Sequence, residues 1–301
     1  MTTTSDGFVV AVDKPVGPTS FDIVAALRRV YRERRVGHTG TLDPLASGLM
    51  LVCVGPATRL VPWLTDADKA YRATISLGRE TVSGDLDGVD VPVVADAAAR
   101  ARALSRVDVA AVLSRFVGEI DQVPPAFSAI RVDGQRAHER ARAGEVVEMP
   151  SRRVRIDALD LVEWSPPDAV VDVRCGKGTY VRSIGIDVGR ALGVGGHLSA
   201  LRRTAVGDWS VDAATPLDAL VRSPETARQL TPAEALASLP AYRPVGRALD
   251  DVLQGRPHVS DGTVGLGATR ALDPSGRLIA IVSCRDDGRV YVDRGFGAAS
   301  A

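Results

Sequence analysis

The stretch GHTGTLDPLASGLMLVCVGPAT, residues 37–58, decides how this chain is read. It holds one formally charged side chain, Asp43, set among glycines and threonines and followed by Pro44. Residues 37–48 are loop by composition, and LMLVCVG (49–55) is an apolar run of the length of a buried strand. A carboxylate in such company is costly unless something compensates it. Three readings of Asp43 compete. It caps a turn, as Asp before Pro commonly does. It ligates a metal, although only His38 stands nearby and no second carboxylate does. Or it is a nucleophile or base kept apart from competing charge.

Upstream, Thr19 and Asp22 form a capping box ahead of Ile23, Leu27, Val30 and Tyr31 at helical spacing, and the same helix ends in RRVYRERR (28–35), five arginines against Glu33. Downstream, YRATISLG (71–78) alternates strictly and places Tyr71 with Ala73, Ile75 and Leu77 on the apolar side of a strand. Ser105 and Asp108 open a second helix with the stripe Val109, Val112, Leu113, Phe116 and Val117, which Gly118 ends. Residues 124–145, Pro-led, Gly-punctuated and basic, form a surface arm. RVRIDALDLV (153–162) and VVDVRCG (170–176) are strands; after the turn GKGT, the run from Tyr180 opens a helix with Arg182 in its first turn. LDDVLQG (249–255) is a short helix, and RLIAIVSC, RDDG and RVYV (277–292) make a hairpin.

Composition sets the outer limits. Cys53, Cys175 and Cys284 lie far apart with no C-x-x-C spacing, so neither a zinc site nor a disulfide framework is expected. The first residues lack the basic and apolar regions of a secretory signal, and no apolar run reaches eighteen residues, which points to a cytoplasmic protein without a membrane span. The 37 basic and 37 acidic side chains balance, which counts against a nucleic-acid partner until their distribution is seen. Residues 131–155 hold seven arginines against four acids, and the aspartates gather at 85–96 and after 250.

GHTGTLDPLASGLM resembles the signature of the TruB family of tRNA pseudouridine synthases. So do DKPVGPTSFD (13–22), KAYRATISLG (69–78), VPPAFSAIRVDGQRA (123–137), CGKGTYVRSIGIDVG (175–189) and GGHLSALRRTAVG (195–207), all in the family's order. The resemblance covers roughly residues 8–210. It implies an α+β pseudouridine synthase fold, a central mixed sheet flanked by helices, over 1–235 with a thumb-like arm near 124–150. A short β-rich PUA-like domain over 236–301 is expected to follow. It implies an isomerase acting on the T-loop uridine at position 55 of elongator tRNA, needing no cofactor and no metal, working as a monomer on the T arm, and in some members also helping tRNA fold. By the same resemblance Asp43 is the nucleophile, Tyr71 the stacking ring and Arg182 the partner of the aspartate. Leu201 lines the base pocket, and His38 takes the place of the flipped base. Lys14, which with Pro15 buttresses the loop, is grouped with the substrate contacts, as are Arg140 and Arg142 of the arm. His138 departs from the family, which often carries tyrosine there. Rival readings are a synthase for other RNAs, an RNA-binding module without catalysis, and a carboxylate enzyme of small carbohydrates.

Overall fold

Strand β1 (Phe8–Lys14) pairs antiparallel with β3 (Ala46–Val54), in register from Phe8–Val54 to Lys14–Gly48, and both are almost wholly buried. The computed structural model containing them describes residues 6–296 apart from 126, 129, 133–134, 138–139 and 141–148. Between these strands lie helix α1 (Ser20–Tyr31) and the short β2 (Val36–His38), which pairs with the end of β3. The capping box of α1 forms as its sequence requires: Thr19 Oγ1 accepts from Asp22 N, and the Asp22 carboxylate accepts from Thr19 N. Ile23, Val24 and Leu27 of α1 then pack on Val10, Val12, Met50 and Val52, the alternate residues of β1 and β3.

The sheet continues through β4 (Lys69–Leu77), β5 (Gly118–Gln122), β6 (Arg152–Ser165), β7 (Asp168–Cys175) and β8 (Gly196–Val206). In space the order is Thr215–Pro216, β1, β3, β8, β4, β7, β6, β5. It is a mixed sheet: β8 runs parallel to β3 and antiparallel to β4, so Leu201 sits between Ala46 and Ala73. At the parallel seam Gly48 has φ +106°, and a Cβ there would lie 2.2 Å from the Arg203 carbonyl oxygen. Only glycine lets the two strands meet at that point.

Helices α2 (Arg106–Leu113) and α3 (Val181–Ala191) cover the apolar side of β4, β6 and β7 with Val109, Leu113, Ile184 and Val188. The α2 stripe is shorter than its periodicity suggests. The helix stops at Leu113, Phe116 belongs to a 3-10 turn, and Gly118, at φ +108°, starts β5 rather than closing the helix. In the arm, Arg131–Val132 pairs with Gln135–Arg136.

A second sheet follows, ordered Ala241–Tyr242, β9 (Thr269–Leu272), β10 (Leu278–Cys284), β11 (Arg289–Gly295), His258–Val259. It does not stand apart from the first. Leu272, Leu278 and Ile281 share one apolar cluster with Val9, Leu49 and Leu51, and Arg277 pairs with Asp6 at 2.5 Å. No helix among the described residues is long and apolar enough to cross a membrane.

Candidate active site

The loop between β2 and β3 carries Asp43 and is fixed from several sides. Its own turn closes with Ala46 N donating to Asp43 O at 3.0 Å. From the segment before α1, Gly17 N donates to Pro44 O at 2.8 Å. Ser20 Oγ serves both main-chain groups of Leu42, accepting from its N–H at 2.7 Å and donating to its carbonyl at 2.9 Å. Beneath the loop, the Lys14 ammonium donates to Ala46 O at 2.6 Å and to Pro15 O at 2.9 Å. Lys14 has no exposed surface. Grouped by the resemblance with the substrate contacts, it holds the loop from below. Burial, opposed by the charge of Asp43 and helped by that of Arg203, pushes its ammonium down to about 8.

Arg182 reaches Asp43 from α3. Its Nε lies 2.8 Å from Asp43 Oδ2, an ion pair without the alignment of a hydrogen bond. The rest of the guanidinium is committed elsewhere: Nη1 donates to Ser83 O at 2.6 Å and Nη2 to Phe127 O at 2.9 Å. A second carboxylate, Asp85, stands 3.8 Å from Nη1 and is itself held by the Ser83 hydroxyl at 2.5 Å. The 83–85 turn lies flat on α3 because Gly84, at φ +73°, has no side chain; a Cβ there would come within 2.9 Å of Ile186 Cδ1. Burial separates the partners. The Arg182 side chain is 4% exposed and that of Asp43 33%, so the cation is locked and the anion accessible.

Around this pair the strands supply a wall and a floor. Leu201 packs with Leu42, Leu45, Ala46 and Ala73 as the apolar wall. Tyr71 is half-buried on the same side of β4 and lies opposite Arg203 in the β8 register. Burial raises its phenol, against the lowering effect of the Arg203 guanidinium beside it. His38 is half-buried at the end of β2, with Nδ1 accepting from Gly40 N at 3.3 Å. Burial and the Arg203 charge lower its ring below the ordinary histidine value, so it stands neutral at pH 7.

Sequence reasoning had passed over Arg203, which forms the floor. It is fully buried, and its partners are main-chain oxygens: Nε to Leu49 O at 2.6 Å, Nη2 to Gly40 O at 3.1 Å and Nη1 to Thr41 O at 3.4 Å. The available signal was the doublet Arg202-Arg203 on an alternating strand, which must turn one arginine inward. Asp85 and Ser20 were also missed; the acid-rich run at 85–96 and the capping segment hid them. Of the arm residues, Arg140 is half-buried, and Arg142 and His138 lie outside the described residues. The assembly is an accessible carboxylate beside a fixed guanidinium, between an apolar wall and an aromatic ring, over two buried cations. Such a pocket can attack or deprotonate an uncharged ring and hold the charge that results.

Comparison with known proteins gives one family. Residues 28–181 match the TruB family pseudouridylate synthase N-terminal domain, and residues 182–254 match the tRNA pseudouridylate synthase B C-terminal domain. A tRNA pseudouridine synthase B of Corynebacterium aurimucosum is 44% identical over 279 residues, 91% of each chain. One from a Mycobacterium species is 42% identical over 280 residues, 92% of each chain. Among solved structures, a Cbf5-Nop10-Gar1 complex contains a chain 25% identical with a TM-score of 0.73, covering 98% of this chain and 86% of that one. An H/ACA RNP bound to a substrate RNA contains another with the same fold, at TM-score 0.72 and 24% identity, over 98% and 86%.

Proposed function

The chain belongs to the TruB family of pseudouridylate synthases, and on that footing we propose how its residues carry out the family reaction. The enzyme isomerises uridine in tRNA to pseudouridine. In that reaction the N1–C1′ bond breaks, the uracil turns, and a C5–C1′ bond forms. The C5 hydrogen leaves as a proton and N1 acquires one, so the composition of the RNA is unchanged. Asp43 is the carboxylate that starts this, by adding to C1′ or C6 or by taking the 2′ proton; each route needs an accessible anionic oxygen. Arg182 keeps that oxygen aimed, since its other N–H groups are tied to Ser83 and Phe127 and it cannot follow the carboxylate away.

The target is the T-loop uridine at position 55, which must leave its stack to reach Asp43. Unstacking costs a few kcal/mol, roughly what stacking on Tyr71 and insertion of a neutral His38 into the gap return. Leu201 closes the pocket on the apolar side of the ring. The arm, through Arg140 and Arg142, contacts T-arm phosphates and makes affinity salt-dependent. The enzyme acts as a monomer in the cytoplasm. The observation that carries this reading is the contrast at the ion pair, with Asp43 one third exposed and Arg182 buried at 2.8 Å.

The test is Asp43→Asn, assayed on an unmodified T-arm stem-loop by mapping pseudouridine. The amide fills the same space without being nucleophilic, so turnover falls at least about a thousandfold while RNA affinity stays within about tenfold. Turnover near wild type in this variant would remove Asp43 from the mechanism.

A further inference from the structure

The first turn of α1 sits at the lip of the catalytic loop, because Ser20 is bonded to Leu42 and Gly17 to Pro44. Beside these anchors stand two large apolar side chains without cover: Val16 is 65% exposed and Phe21 69%. A lone exposed valine is ordinary, but an uncovered aromatic next to a catalytic mouth asks for a use. The helix supplies the context. From Phe21 the solvent side of α1 runs through Ala25 and Arg28, steps of four and three residues that keep them on one line, and Arg32 follows as the C-cap just past the last turn. At about 1.5 Å per residue, Arg28 lies about 10 Å along the axis from Phe21. Arg28, Arg29, Arg32 and Arg34 are all exposed. Arg28 and Arg29 each hold one 3.4 Å bond to a main-chain carbonyl, and the single acid of the cluster, Glu33, is taken by Arg35. A flat ring at the mouth followed by a line of cations matches one polymer, a nucleic-acid strand with its bases unpaired and its phosphates in series.

We infer that Phe21, with Val16 beside it, is a stacking platform for an unpaired base next to the target uridine, and that the arginine line of α1 holds the phosphates that follow. The inference rests on the RNA-modifying reading above and adds to it a contact outside the pocket. The platform acts on binding, since it touches no reacting atom. Its contribution is independent of salt, whereas that of the arginines is not.

The test uses the full chain and the same unmodified T-arm stem-loop, with turnover and direct binding measured across a salt series. Phe21→Ala raises KM and Kd about five- to thirtyfold, lowers kcat less than twofold and leaves the salt slope unchanged. Phe21→Trp restores affinity. The double variant Arg28→Gln, Arg29→Gln also weakens binding but flattens the slope. Exposure of all three side chains means that folding is not at stake, which thermal melting verifies. A Phe21→Ala enzyme binding RNA within twofold of wild type overturns the inference. So does one whose sedimentation changes while its RNA binding does not, since the face would then serve a second protein copy. If wild type binds the stem-loop but forms no pseudouridine, the functional reading fails and the binding arm still decides the platform.

Discussion

Two pairs of neighbouring residues on adjacent strands show how this protein handles positive charge. In register, Arg202 lies opposite Arg72, and Arg203 opposite Tyr71. Arg72 and Arg202 face outward, and each takes a carboxylate with two hydrogen bonds: Arg72 with Asp172 at 2.8 and 2.8 Å, Arg202 with Asp13 at 3.0 and 2.8 Å. One residue further along, Arg203 faces inward, is fully buried, and meets main-chain carbonyls. Lys14, from β1, repeats the inward solution. In these pairs the outward cations are neutralised by an acid, whereas the inward ones, Arg203 and Lys14, are held by oxygens without formal charge. A paired cation beneath the loop would cancel the field at Asp43. Keeping Asp43 as the carboxylate on Arg182 Nε, with Asp85 one ångström more distant from Nη1, preserves that field.

The largest expected effect separates the two sides directly. Arg203→Met leaves the carbonyls of Gly40, Thr41 and Leu49 without their donor, at about 1 kcal/mol or more for each, so urea unfolding shows a loss of roughly 3 kcal/mol. The loop then sits differently, and kcat on the stem-loop falls about a hundredfold or more, as misplacement by about 1 Å commonly causes. If Arg203→Met turns over like wild type, the inward cation is only ballast and the comparison collapses.

A smaller effect comes from pH, and it falls in a different pH range on each of the two sides. Lys14 titrates near 8 in the fold, below its ordinary 10.5, chiefly through burial. As pH rises through 8 the floor loses one charge, and kcat falls severalfold between about pH 7 and 9. Stability moves the other way. Between 8 and 10.5 the unfolded chain binds a proton that the fold has released, so the Lys14 contribution to stability rises with pH. On the outer face, the hydrogen bond and charge of Arg72 hold the Asp172 carboxyl below its ordinary 3.8. Its stabilising contribution is present above 3.8 and disappears as pH falls below it. A pH–rate profile with Lys14→Met as control checks this: the variant lacks the alkaline limb that wild type shows. The smallest effect is Arg72→Met, which changes stability by about 1 kcal/mol or less and turnover by less than twofold. A large loss of activity there would erase the distinction between the faces.

Much of this architecture was legible before the structure. The capping box at Thr19 and Asp22, the strict alternation of residues 71–77 and the apolar run at 49–54 each became the element they announced, because local periodicity and side-chain caps act within a few residues. The end of α2 was misjudged for a related reason. Phe116 and Val117 continue the apolar spacing, but the chain must turn into β5, and the helix ends four residues early. The site was less legible. Asp43 and Arg182 meet because a loop and the first turn of α3, far apart in sequence, converge in the fold, which no window of sequence reports; the motif order of a known family suggested the pairing, and the 2.8 Å contact now supports it. Arg203 escaped notice since its function depends on which carbonyls lie above it, a property of the fold and not of the side chain.

The apolar cluster joining Val9 and Leu51 to Leu278 and Ile281 has a consequence for how the molecule is made. β1 and β3 leave the ribosome long before β10, so one side of that strand pair waits, undressed, until β10 is translated. A premature stop upstream of β10 would yield no trimmed enzyme, only a product whose greasy flank invites proteases and clumping.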